Sequence, residues 1–250
     1  MFPLTHLYTA KEVLGYENAM TALGAMFPDF GSVLGAGRNL CHEMGVDMWH
    51  YAMESDKDHA DFALGVLTHG TALPGIDWYA DESYHGLRPG FCFQLGEEIA
   101  AEAAKACNLP PNMAVWKAHN IIEMAFDVIT ERKHPCIGAF AYGLLVAPPE
   151  TVCTGFLQNY LRCTKEDTVM MFRDVLAWHS FDGNDIEDMA TKFIVSLERR
   201  HGITHCHLGE LLKLIEKAVL LIEPLYDAFM TECLTEISAN LQKLTGVKRL

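Results

Sequence analysis

At 250 residues, half of them hydrophobic and 21% charged, the chain has an ordinary globular composition and enough material for a sizeable core. Its formal net charge of −14 excludes wrapping of nucleic acid, or adhesion to an anionic membrane, through a broad basic face. A phosphodiester substrate stays open, because bound divalent cations would cancel acid locally.

The pattern is helical nearly throughout. Thr9–Met26 reads as an amphipathic helix halted by Phe27-Pro-Asp29, and residues 31–45, rich in glycine, as a loop with a short helix. Asp47–Thr68 reads as a helix or helix pair with a break at Asp56-Lys-Asp58. Ala72-Leu-Pro-Gly75 and Gly86-Leu-Arg-Pro-Gly90 are turns flanking a helical Ile76–Tyr84. Helices follow over Gly96–Cys107, Asn112–Arg132, Cys136–Leu145, Pro148–Arg162, Lys165–Phe181, Asp185–His201 and Leu208–Thr245. Alternating β-branched stretches are scarce, so the expected fold class is all-α. No linker, repeat or low-complexity tract argues for more than one domain over 1–250. Chemistry is expected mostly within 1–130, with 131–250 as packing helices.

Eight cysteines (41, 92, 107, 136, 153, 163, 206 and 233) lack CxxC spacing and are spread like small core hydrophobes. Reduced thiols in the cytoplasm are the simplest account. Met1-Phe-Pro-Leu-Thr-His6 lacks a basic n-region and a long apolar region, so no signal peptide is expected. No apolar stretch approaches the length of a membrane span.

Three segments place a histidine where helical spacing brings a carboxylate beside it or ends an apolar run: Asp81-Glu-Ser-Tyr-His85, His119-Asn-Ile-Ile-Glu123 and Phe62-Ala-Leu-Gly-Val-Leu-Thr-His69. Residues four apart on a helix are neighbours, and imidazole with carboxylate is a ligand set for zinc. In chain order the candidate metal ligands are His6, Asp29, His50, His69, Asp81, His85, His119 and Glu123, with His42 competing with His50 and Asp77 with Asp81. Asp127, one turn beyond Glu123, is a candidate for orienting a ligand from behind. Asp29 after Pro28 could equally cap a helix. His59, beside Asp58 and Asp61, reads as part of a solvated charged face. The His201–His207 cluster around Gly202 reads as a helix terminus and turn.

This order of imidazoles and carboxylates resembles the zinc-dependent phospholipase C family, with its phospholipase C/D-like and single-strand-specific zinc nuclease relatives. Thr5-His6 followed by Phe27-Pro-Asp29, then Phe62-x-x-Gly65-x-x-x-His69, then Asp81-x-x-x-His85 and Ala118-His119-x-x-x-Glu123 carry the resemblance, which covers the first half of the chain. Three features depart from it: extra residues between His69 and Asp81, Met1 five residues before His6 where secreted members begin on a ligating tryptophan, and an intracellular look unlike the best-known secreted members. The resemblance implies a helical fold holding two or three zinc ions, with Asp29, His50, His69 and Asp81 at one site, His85, His119 and Glu123 at a second, and His6 near a third. It implies hydrolysis of a small-molecule or lipid phosphate ester by metal-bound hydroxide, a phosphodiesterase chemistry in which Asp29 and Asp81 take part in catalysis.

Two other readings compete. A di-iron carboxylate bundle needs two Glu-x-x-His pairs and two further glutamates, and Glu82-Ser-Tyr-His85 and Glu198-Arg-Arg-His201 fit that spacing. A non-catalytic helical protein with structural histidines is the third. A histidine–aspartate phosphohydrolase would need an adjacent His-Asp dipeptide, which the chain lacks.

Overall fold

The structure, a computed structural model, describes residues 3–31, 37–54, 57–146, 157–158, 161–178 and 180–246. Among these the fold is all-α. Helices span Pro3–Leu14 (α1), Ala19–Gly31 (α2), Arg38–Glu43 (α3), Gly45–Met53 (α4), Lys57–His69 (α5), Phe91–Cys107 (α6), Ala114–Lys133 (α7), Gly138–Val146 (α8), Lys165–Trp178 (α9), Ile186–His201 (α10) and Leu208–Thr245 (α11). The described β pairing is a single bridge between Tyr84 and Leu87. Most of the predicted helix Pro148–Arg162, together with Cys153 and His179, lies outside the described residues. No described helix is long and apolar enough to cross a membrane.

By its contacts the chain divides into two compact units. One comprises Met1–Thr5, Trp78–Pro135 and Leu176–Thr231; the other comprises His6–Asp77, Cys136–Val175 and Glu232–Leu250.

In the second of these, α2 crosses α5 at glycines. A Cβ on Gly24 would stand 2.0 Å from the Phe62 carbonyl oxygen, and one on Gly65 would stand 2.2 Å from that of Thr21. Two helices meet here backbone to backbone, closer than any side chain permits. The predicted helix Thr9–Met26 is in fact two. Gly15 turns the chain at φ +75°, and Asn18 restarts it, its Oδ1 accepting the Met20 and Thr21 amides at 3.0 and 2.9 Å. An N-cap of this kind is what asparagine supplies best. Pro28 does not halt α2 but lies inside its last turn. Asp61 is buried rather than solvated, bonded by Tyr16 and Asn18 at 2.8 Å each and by Lys57.

In the other unit α6 packs along α7. α11 adds Tyr226 and Phe229 to Phe91 and Phe126, with Phe91 stacked on Phe229 at 4.5 Å. The Ala-rich run of α6 favours helix intrinsically and ends at Asn108 in the left-handed conformation, φ 50°. α10 begins on Asp185, whose side chain accepts the Asp188 amide at 2.9 Å. It closes through Arg199, Arg200 and His201 onto Gly202 at φ 65°, so charge and caps follow the helix dipole.

Candidate metal centres

Among the described residues, two groups of side chains could hold a metal ion, one within each unit. Asp29, His42, His69 and Asp77 form the first; Asp81, His119 and Glu123 form the second. In each group the donor atoms lie within 4.8 Å of one another.

The first group is assembled by the α2–α5 crossing. Gly65 brings α5 onto α2, and one turn later the His69 Nδ1–H donates to the Ala25 carbonyl of α2 at 2.6 Å. His42 Nδ1–H likewise donates to the Arg38 carbonyl at 2.8 Å. After α5, the Thr71 amide donates to the His42 carbonyl at 2.8 Å, tying the turn that leads to Asp77 back onto α3. A carbonyl only accepts, so both imidazoles carry their proton on Nδ1 and turn Nε2 inward.

Those Nε2 atoms lie 3.3 Å apart, and they lie 3.1 and 3.2 Å from the same Asp77 oxygen. Asp29 Oδ1 completes the set, 3.6 Å from His42 and 3.9 Å from His69. Four donors at about 2.0–2.2 Å from a tetrahedral ion stand roughly 3.3 Å from one another, close to these separations. The other oxygen of each carboxylate faces His6, whose Nε2 is 3.4 Å from Asp29 Oδ2 and 3.6 Å from Asp77 Oδ1. Both carboxylates thus present one oxygen to the His42–His69 pair and one to His6.

The Arg38 guanidinium also reaches the Asp77 oxygen shared by the two imidazoles, at 3.5 Å. Burial alone would lower the His42 pKa, but its bonds to Asp29 and Asp77 more than offset this and push it up to about 9. Burial, with the neighbouring His6, pushes His69 down to about 4, against the pull of Asp77 and Asp29. Desolvation opposes ionisation of Asp29, yet His42, His6 and His69 hold its carboxyl well below the usual range. Burial likewise opposes ionisation of Asp77, and nearby groups, among them His69, His6 and His42, hold it low.

The second group rests on a single π-helical turn, Trp78–Glu82, in which the Ser83 amide donates to the Trp78 carbonyl at 2.8 Å. Such wide turns are rare and concentrate at functional sites; this one carries buried Asp81. α7 supplies His119 and Glu123, four apart as the sequence spacing requires. His119 Nδ1–H donates to the Trp116 carbonyl, leaving Nε2 3.7 Å from Glu123 and 3.9 Å from Asp81. α6 closes on this face through Gly96, where a Cβ would stand 2.9 Å from the His119 nitrogen. Phe93 stacks on the imidazole at 3.9 Å. Asn120 donates to Glu123 Oε2 at 3.0 Å.

The structure regroups the residues singled out in the sequence. Asp29 and His69 come together, joined by His42 rather than His50 and by Asp77 rather than Asp81. His50 is exposed on α4 and belongs to neither group. Asp81 joins His119 and Glu123, and His85 does not: it is exposed at φ 50°, its ring stacked on Tyr84 at 4.0 Å. Asp127 does not orient His119; its oxygens accept the Leu4 and Thr5 amides and the Thr5 hydroxyl at 3.0, 2.8 and 2.7 Å, capping α1. The pairs Glu82–His85 and Glu198–His201 belong to neither group. The seven described cysteines are free thiols.

No family model, curated protein or solved structure matches the chain.

Proposed function

We propose that the protein is a zinc-dependent hydrolase of phosphate esters. One observation carries the reading: His42, His69 and His119 each donate Nδ1–H to a backbone carbonyl and turn Nε2 toward carboxylates. A ligand histidine is fixed in this way by its outer partner, which leaves the other ring nitrogen for the ion. Zinc suits an imidazole–carboxylate set without thiolate. The order of these residues along the chain supports the same reading through its resemblance to the zinc-dependent phospholipases C.

On this reading Asp29, His42, His69 and Asp77 hold one ion and Asp81, His119 and Glu123 another. His6, with the second oxygens of Asp29 and Asp77, provides for a third ion close to the first. Bound zinc supplies Lewis acidity and lowers the pKa of water toward neutrality. The chain's own contribution is to fix the ligands and to gather carboxylates whose charge the ions offset. Asp29 is the carboxylate of the first group nearest solvent, 26% of its side chain exposed, and so is the one placed to meet a substrate or its water. Asp81 and Asp77 are buried.

The test is a panel of phosphate mono- and diesters, assayed with zinc-loaded protein, chelated protein and the His69→Ala variant. Hydrolysis of at least one ester, lost on chelation and in the variant, is expected. Failure to cleave any ester, or equal cleavage by the variant, contradicts the reading.

A further inference from the structure

Arg38 meets the first metal group through both its backbone and its side chain. Its carbonyl accepts the His42 Nδ1–H at 2.8 Å, and its guanidinium reaches Asp77 Oδ2 at 3.5 Å. That oxygen is the one 3.1 and 3.2 Å from the Nε2 atoms of His42 and His69, so it belongs to the ligand set itself. Asp77 is buried, whereas 47% of the Arg38 side chain is open to solvent. The side chain therefore joins solvent to a ligand oxygen, in a group that Asp29 also opens to solvent, at 26%.

A cation in that position has a cost. A guanidinium beside an oxygen that is to bind an ion draws on the same negative charge and repels the ion. An uncharged donor would hold Asp77 without that repulsion, so the charge itself calls for an account. Two aspartates and two neutral imidazoles balance a divalent ion and leave no net charge. Arg38 adds one positive charge to that balance, and in a chain of net charge −14 such a surplus favours an anion at this place. Guanidinium is planar, permanently charged and forked, which suits it to the paired oxygens of a phosphate group. With a divalent ion on the group, the Asp77 oxygen holds the guanidinium less strongly, and a phosphoryl oxygen becomes the better partner.

We propose that Arg38 is a substrate-binding residue, whose guanidinium takes a phosphoryl oxygen of the ester at the first metal group. The role rests on the hydrolase reading, because it supplies the substrate contact of that same site.

The test measures two bindings in Arg38→Gln, which loses the guanidinium and keeps the carbonyl that orients His42. Arg38 is exposed, so the replacement leaves the core untouched. Zinc affinity, read by competition with a chelating dye, should equal or exceed that of the parent protein, since a repelling charge is gone. Inorganic phosphate is then titrated by calorimetry, at constant ionic strength, into zinc-loaded parent and variant freed of unbound zinc. Phosphate should bind the parent saturably and the variant at least about tenfold more weakly, as loss of one charge-assisted bond implies.

Equal phosphate binding by the two proteins overturns the role. So does a variant that loses zinc, which makes Arg38 a prop for Asp77. A parent protein that takes up zinc and no phosphate overturns the role alone, and one that takes up no zinc overturns the hydrolase reading with it. Displacement of the phosphate by phenylphosphonate supports a soluble ester, and displacement by phosphatidic acid vesicles alone supports a lipid one. Displacement by neither overturns the substrate contact.

Discussion

The imidazoles of His6 and His69 lie face to face, 3.6 Å between centroids and 4° from parallel. Burial first, and the neighbouring His6 second, push the His69 pKa down to about 4, while bonds to Asp29 and Asp77 outweigh burial and lift that of His42 to about 9. At neutral pH His69 is thus an uncharged donor, while His42, as a cation, and the Arg38 guanidinium face the two carboxylates.

Zinc binding must then displace the His42 proton, because only neutral imidazole ligates. Near pH 7.5, uptake of the ion at the first group should release about one proton, measurable with an indicator dye or by calorimetry in buffers of different ionisation enthalpy. The sign follows for stability as well. His42 has a raised pKa in the folded state, so its contribution is full below about 6.5 and is lost as pH rises through about 9. Metal-free protein should lose thermal stability across that window and zinc-loaded protein should not. Uptake without proton release would mean that His42 is already neutral.

Gly65 sets the distance on which the first group depends. Gly65→Ala places a methyl 2.2 Å from the Thr21 carbonyl oxygen, which the two helix backbones must separate to accept. Overpacking of this kind costs about 1–3 kcal/mol, occasionally more. A lower melting temperature and weakened zinc binding are expected together, read by calorimetry and metal competition. Gly209→Ala, at a position with nothing within 4 Å of the added carbon, is the neutral control.

Asp127 is expected to matter for folding rather than for metal. Removing it strands two amides in the interior and leaves the Thr5 hydroxyl with Thr130 alone, and each unsatisfied group costs about 1–3 kcal/mol. Asp127→Ala should therefore lose about 3 kcal/mol or more in denaturant unfolding, and Asp127→Asn less, since its one carbonyl oxygen still accepts. Equal stability of all three proteins would show that α1 does not need this cap.

The helices were largely legible because their signals are local: apolar periodicity, the Asp185 cap, Gly202, and the whole of Leu208–Thr245. The break at Gly15–Asn18 was missed because apolar residues continue across it and the cap acts through a side chain. His119 and Glu123 were readable because four-residue spacing on one helix fixes their approach. His42 and Asp77 could be named only as rivals to His50 and Asp81, since their place depends on how α3 and the turn after α5 close on one another. One tie there, the Thr71 amide to the His42 carbonyl, leaves no mark in the sequence pattern.

Zinc content per chain tests the central claim most directly. Carefully purified, tag-free protein should carry at least two zinc ions, one for each group. The His42→Ala variant should carry fewer, and His50→Ala, altered at an exposed position, should retain them all. Fewer than one ion per chain in the unaltered protein, or a loss in His50→Ala with none in His42→Ala, would contradict the account.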